Sequence, residues 1–87
     1  MDSHVVYRAE IYLENDQYVA LCPELDVSSF SDTPEEAKQA LKEAVEAFLE
    51  ECRNMGTLEE VLEESGYTRQ GNTWLPRQPV RAELLIS

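Results

Sequence analysis

Residues that carry catalytic chemistry are scarce in this chain. Among its 87 residues it has one histidine, His4, only two cysteines and only three glycines. Nucleophilic catalysis needs a base beside the nucleophile, and a single histidine near the N-terminus is more simply an exposed side chain. The three glycines are all expected in helix caps or turns, so none remains for a phosphate-binding loop. The sequence therefore predicts that the protein is not an enzyme.

Ligands for metals and cofactors are equally few. Two cysteines separated by 30 positions and one histidine match no zinc-binding spacing. Glu24, Asp26 and Asp32, with Glu10 further upstream, could supply oxygen ligands to a hard cation. A carboxylate just before a helix is more simply explained by the favourable field at the helix N-terminus. We expect no metal and no cofactor, and both cysteines are expected to be small core residues.

Basic residues are outnumbered, with 7 lysines and arginines against 18 acidic residues and a net charge of -11. Nucleic acid is disfavoured as a direct ligand, because the basic residues are scattered among carboxylates instead of forming a patch. A basic protein partner would be attracted by the summed charge. The simpler alternative is that the acidity only keeps the protein soluble.

Long apolar runs and export signals are also lacking. No stretch approaches the roughly 20 apolar residues of a membrane span, and the N-terminus has no signal-peptide pattern. We expect a soluble cytoplasmic protein with reduced cysteines. The length fits one domain, residues 1–87, which would bury only about 60 to 65% of its unfolded surface. So small a core favours a partner or a second copy of the chain.

Alternating hydrophobicity predicts the strands. Residues 4–13 alternate, with a buried face that consists of Val5, Tyr7, Ala9, Ile11 and Leu13. A polar turn at 14–17 leads into an apolar run at 18–22, so these two strands should form a hairpin. Pro23 ends the second strand, and residues 27–31 are a plausible short third strand.

A long amphipathic helix follows. Thr33, Pro34 and Glu36 combine an N-cap hydroxyl, a proline at the first helical position and a capping-box glutamate. Its apolar residues recur at three- and four-residue spacing and form one stripe that should pack on the sheet: Ala37, Ala40, Leu41, Ala44, Val45, Phe48, Leu49 and Cys52. Gly56 is expected to end it.

The C-terminal third is expected to add a short helix and more strands. Thr57 and Glu60 predict a second capping box, and Gly66 should end that helix. A hairpin around Gly71 would place Arg69 opposite Trp74. The predicted fold is α+β, a small antiparallel sheet in the order β-β-β-α-α-β-β with the long helix on one face. Residues 80–86 alternate as a closing strand.

The segment "VALCPELDVSSFSDTPEEAKQALKEAVEAFLEE" resembles the HicB-like antitoxin family. Members of that family carry an apolar strand that ends in a proline-acid-leucine turn, then a small strand, a Gly-Asp-Thr-like step and a helix with "EEA". The resemblance covers about residues 5–52, and "TLEEVLEESGY" also fits what often follows. The matching positions are Pro23, Glu24, Leu25, Asp32, Thr33, Glu35, Glu36 and Ala37.

The resemblance implies a partial RNase H-like fold without the catalytic carboxylates. It also implies a function as the antitoxin of a toxin–antitoxin pair, in which the antitoxin covers the active site of a small basic mRNA-cleaving toxin, a HicA-like ribonuclease. Family members also self-associate as dimers or tetramers. The chain departs from many relatives in two respects. It shows no C-terminal DNA-binding domain, which makes operator binding by this chain doubtful, and it has Phe30-Ser31 where relatives often have a glycine.

Charge and expected exposure place the partner-binding surface on the loop before the long helix and on the outward face of the first strand. The candidate residues are Glu24, Asp26, Ser29, Asp32, Arg8, Glu10 and Tyr12. Among the aromatic residues, Tyr12 and Phe30 are the better candidates for a protein interface. Two other interpretations remain open. One is a stand-alone homo-oligomeric structural or regulatory protein with no toxin. The other is a metal-dependent nuclease remnant, whose Mg²⁺-dependent RNA cleavage would disappear on mutation of Glu10 or Asp26.

Overall fold

A computed structural model describes residues 3–87 and has mixed α+β architecture. The elements in chain order are β1 (His4–Val5), β2 (Glu10–Glu14), β3 (Gln17–Cys22), β4 (Val27–Ser31), α1 (Pro34–Met55), α2 (Leu58–Glu64), β5 (Thr68–Gln70) and β6 (Thr73–Leu75). The long helix α1 lies across β3 and β4. The α+β class and the packing of the long helix on the sheet are therefore confirmed.

The strands form two sheets, which differs from the expected single antiparallel sheet. One has the antiparallel order β2-β3-β4, and the other has the order β1-β6-β5 with β1 parallel to β6. The first predicted strand is divided because its two ends pair with different neighbours. Val5 lies opposite Trp74, whereas Ile11 lies opposite Ala20. This division adds one strand to the predicted element order.

The hairpin of β2 and β3 closes through the predicted polar turn. Glu14 pairs with Gln17, and Asn15 and Asp16 between them both have positive φ, at 50° and 65°. Asparagine and aspartate tolerate this conformation better than other residues with side chains, and two such residues match the twist of a hairpin. The local sequence therefore sets the register of the two strands.

Helix α1 begins as predicted. The Thr33 hydroxyl oxygen accepts a hydrogen bond from the Glu36 amide at 3.1 Å and donates one to the Glu36 carboxylate at 2.8 Å. Five residues of the predicted stripe are buried: Ala37, Leu41, Val45, Leu49 and Cys52. They pack toward Ala20 and Cys22 of β3, which are fully buried in the same cluster. The core thus lies between α1 and one face of the β2-β3-β4 sheet.

Both helices end at the predicted glycines. At the end of α1, the Gly56 amide donates to the Arg53 carbonyl and the Thr57 amide donates to the Cys52 carbonyl, which is a Schellman motif. Gly66 has φ of 87° and ends α2 in the same way. The predicted capping box at Thr57 is wrong. Its hydroxyl makes no cap hydrogen bond in α2 and instead donates to the Cys52 carbonyl at 3.4 Å.

The second hairpin is confirmed. Arg69 lies opposite Trp74, with the guanidinium carbon 5.7 Å from the centre of the indole ring. Gly71 in the turn has φ of 65°, which glycine adopts without steric cost. The buried Trp74 joins Leu62 and Tyr67 in the core, so this hairpin anchors the second sheet to the helices.

The predicted closing strand at 80–86 is wrong. Residues 76–87 contain no strand, and every residue after Pro76 is exposed. An 87-residue domain is expected to have a radius of gyration of about 12 Å, and the structure has a larger one, 14.6 Å. The alternating pattern is present in the sequence, but residues 80–86 pair with no strand among residues 3–87.

Candidate protein-binding surface

The β2-β3-β4 sheet has an outer face, opposite the face that α1 covers. On this face Tyr12 lies opposite Val19, and Val19 lies opposite Phe30. Residues directly opposite each other on paired strands point to the same side, so the three side chains form one row across three strands. Tyr12 is 49% exposed and Phe30 is 65% exposed. We call this the outer row.

A second row lies two residues along the strands. It consists of Glu10, Leu21 and Ser28, which are opposite one another in the same register. Tyr12 donates a hydrogen bond from its hydroxyl to Glu10 Oε1 at 3.0 Å. This hydrogen bond to Glu10, together with the nearby negative charge, raises the pKa of the Tyr12 phenol. The outer face therefore combines two exposed aromatic rings with a carboxylate.

Arg8 and Glu24 form an ion pair between the segment before β2 and the β3–β4 turn. Arg8 Nη1 lies 3.6 Å from Glu24 Oε2, and the Glu24 side chain is only 10% exposed. The Cys22 thiol lies 3.8 Å from the other Glu24 oxygen, and burial raises the pKa of that thiol. Glu24 is therefore engaged mainly within the chain, where it ties the β3–β4 turn to the segment before β2.

The other predicted acidic residues are exposed but separate. Asp26 lies in the β3–β4 turn with φ of 55°, and Asp32 directly precedes the N-cap of α1. Ser29 lies opposite the fully buried Ala20, so it points toward α1 and not toward the outer row. The seven predicted residues thus do not form one patch. The structure brings together Glu10 with Tyr12, and Arg8 with Glu24.

The outer row contains members that were not among the predicted site residues. Phe30 was expected to be an interface aromatic but was not among the seven candidate residues, and it alternates with two serines on β4 as an outward residue would. The sequence indicated the exposure of Phe30 but not its position beside Val19, because strand register is a tertiary property. Val19 is the member of the outer row that the sequence analysis missed.

Within residues 3–87, no three His, Cys, Asp or Glu side chains cluster in a way that could hold a metal ion. Over the same residues, neither α1 nor α2 has the length and apolar character needed to cross a membrane.

Comparison with known proteins adds no relative. The sequence matches no family model, and neither the curated proteins nor the solved structures contain a match to it.

Proposed function

We propose that the protein is a HicB-like antitoxin, an acidic non-catalytic binding protein of the cytoplasm. It neutralises a small basic mRNA-cleaving toxin, a HicA-like ribonuclease, by covering its active site. The resemblance of residues 5–52 to that family motivates the proposal. The observation that carries it is the outer row, in which Tyr12 and Phe30 remain exposed on a sheet face beside the Glu10 carboxylate.

This surface has the composition of a protein interface. Aromatic residues are enriched in the buried centres of interfaces, and polar residues surround them. Here the apolar centre is Tyr12, Val19, Leu21 and Phe30, with Glu10 at one side. A basic toxin would be drawn by the net charge of -11 and then held by contacts with the aromatic rings.

Covering an active site does not require catalytic groups in the covering protein. A ribonuclease site that binds phosphates is positively charged, so exposed carboxylates can take the place of RNA there. Asp26 and Asp32 are exposed near the two ends of β4, the strand that carries Phe30. The acidic residues and the aromatic residues can therefore contact the same partner.

The test begins with capture of the full chain and its bound proteins from host lysate at low and moderate salt, with the proteins identified by mass spectrometry. A captured small basic protein is then purified and assayed for cleavage of mRNA. The proposal expects cleavage that stops when the chain is added in equal amount. A captured protein without ribonuclease activity, or cleavage that the chain leaves unchanged, would contradict it.

Self-association into a dimer or tetramer is the second part of the proposal. The observation that favours it is the exposed apolar C-terminal segment, where Val80, Leu84 and Ile86 are all essentially fully exposed. Sedimentation over a wide concentration range tests it, because a dimer or tetramer gives a mass that rises with concentration and a monomer does not.

A further inference from the structure

The geometry points to a strand exchange between two copies, in which residues 80–86 of each copy pair with the free edge of β2 in the other. This inference deepens the proposed self-association and rests on it. It does not rest on toxin neutralisation. We call residues 80–86 the tail.

The tail has the pattern of a strand but no partner in its own chain. Its apolar residues alternate with Arg81, Glu83 and Leu85, as in a strand with one buried face. The apolar residues are Val80, Ala82, Leu84 and Ile86. The side chains of Leu84 and Ile86 are fully exposed, so the apolar face of this segment lies entirely in water. An apolar alternating segment gains stability when a sheet edge and a core accept it.

Strand β2 offers such an edge. It lies at the border of the β2-β3-β4 sheet and pairs only with β3 in the part of the chain described. On the side of the sheet that faces α1, Ile11 is 39% exposed and Leu13 is 64% exposed, because the helix lies over β3 and β4 instead. Natural proteins usually protect a free edge of this kind.

A groove continues from this edge. It has a volume of about 410 Å³ and lies between the segment before β2 and the first turns of α1. Tyr7 and Ala9 supply apolar surface in it, above the fully buried Leu41, and Lys38 and Lys42 contribute their long side chains. A strand added beside β2 would place alternate side chains over Ile11, Leu13 and this groove.

The apolar face of the tail matches the helix side of β2. With Leu84 and Ile86 on that side, over Ile11 and Leu13, the pleat sends Arg81, Glu83 and Leu85 to the outer side. The outer side of β2 carries Glu10, Tyr12 and Glu14. Arg81 would then lie near a carboxylate, and Leu85 would extend the outer row.

Charge is compatible with the tail of a second copy as the occupant. Residues 76–87 contain Arg77, Arg81 and Glu83, a net charge of +1 in a chain whose total is -11, so the remainder carries -12. Two bodies of that charge repel each other. The tail itself is neutral, with Arg81 balanced by Glu83, so it can approach the other body without that repulsion.

The path of the chain also directs the tail outward. Pro76 is buried, and Pro79 lies in a cleft with Arg8 and Glu24, so the connection is held up to that point. Proline fixes φ and stiffens the chain, and the tail leaves the body immediately after Pro79. Exchange of an element across such a connection is a common route to dimers.

The area is sufficient for a stable dimer. Burial of Val80, Leu84 and Ile86 removes roughly 300 Å² of apolar surface per tail. Two tails and the surfaces they cover give roughly 1,200 Å² in total, the lower limit for a specific interface.

The first test measures the dimer dissociation constant of the full chain by sedimentation. The variant carries Leu84→Asp and Ile86→Asp, and the control carries Gln78→Asp, which adds a charge in the connection outside the tail. We expect at least a tenfold increase in the dissociation constant for the variant and little change for the control. A wild-type dimer that is unaffected in the variant would overturn the exchange while leaving self-association intact. A wild-type monomer at every concentration would overturn both.

The second test identifies the contact. One tagged population carries Leu13→Cys and a differently tagged one carries Ile86→Cys, and the two are mixed under mild oxidation. The exchange predicts a disulfide that joins the two tags. Mixing the Leu13→Cys population with wild type is the control for the native cysteines, which are buried. If both substitutions in one chain give only a crosslinked monomer, the tail covers its own β2 and the inference is wrong.

Discussion

Tyr12 and Phe30 lie in one row across the outer face of the β2-β3-β4 sheet, on either side of Val19. They are far apart in sequence and on the two border strands of the sheet. They become neighbours of Val19 only through the pairing register of the three strands. This relationship makes the outer face a surface with two aromatic anchors.

The two predicted helix caps should differ in their contribution to stability. Thr33→Ala removes a hydroxyl that hydrogen-bonds both the amide and the carboxylate of Glu36, so we expect a loss of about 1 kcal/mol in the free energy of unfolding. Thr57→Ala is the matched control, because Thr57 makes no side-chain cap hydrogen bond in α2. Urea unfolding of the two variants measures the difference. Equal losses would contradict the assigned caps.

The ion pair between Arg8 and Glu24 should matter for stability more than an exposed pair does. Glu24→Gln removes a mostly buried charge, and we expect a loss of about 1 kcal/mol. Glu59→Gln is the control, since Arg69 and Glu59 form a pair in which both side chains are well exposed. We expect the control to change the unfolding free energy by less than about 0.5 kcal/mol. A larger effect at Glu59 would be inconsistent with the burial of Glu24.

The buried phenol of Tyr67 should make the folded protein less stable at high pH. Its hydroxyl is buried without a hydrogen-bond partner among residues 3–87, and burial raises its pKa well above the usual 10.0. The folded state therefore keeps the proton more tightly than the unfolded state does. This contribution is complete below pH 10 and is lost as the pH rises further.

The measurement is the free energy of unfolding between pH 8 and pH 11, compared with Tyr67→Phe. We expect the decline above pH 10 to be smaller in the variant, because phenylalanine does not ionise. At neutral pH the variant should be as stable as wild type or more stable, since an unsatisfied buried hydroxyl is removed. An identical decline in both proteins would show that Tyr67 ionises as freely when folded as when unfolded.

Much of this fold follows from local sequence, and the parts that do not follow depend on distant contacts. Thr33, Gly56 and Gly66 mark helix ends through short-range hydrogen bonds, so their positions could be predicted. The division of the first strand could not, because it depends on which strands lie beside Val5 and Ile11. The alternation in 80–86 indicated a strand, but periodicity cannot say whether a partner for it exists in the same chain.

The predicted binding residues show the same limit. Tyr12 and Glu10 lie on one strand two positions apart, so their common face could be predicted from the period of a strand. Ser29 was placed with them, yet its pairing with Ala20 turns it toward α1. Residue type and expected exposure suggested Glu24, whose burial against Arg8 required the three-dimensional contact.

Exposed acidic residues near the outer row should speed association with the basic partner. Asp26→Lys with Asp32→Lys reverses two exposed charges, and we expect about tenfold slower association at low ionic strength. Glu50→Lys with Glu51→Lys is the control, because it makes the same change in net charge on an exposed part of α1. The measurement is the association rate of each double variant by stopped-flow at two salt concentrations. Equal slowing by both pairs would mean that net charge alone steers the encounter.

The proposed function requires the outer row to bind and inhibit a basic ribonuclease. The most direct measurement is the inhibition constant for mRNA cleavage by that partner, titrated with wild type, Phe30→Asp and the control Met55→Asp. Met55 is exposed to the same degree, at 64%, but lies at the end of α1. We expect at least a 30-fold weaker inhibition by Phe30→Asp, about 2 kcal/mol, and little change for Met55→Asp. Full inhibition by Phe30→Asp at the wild-type concentration would contradict the claim.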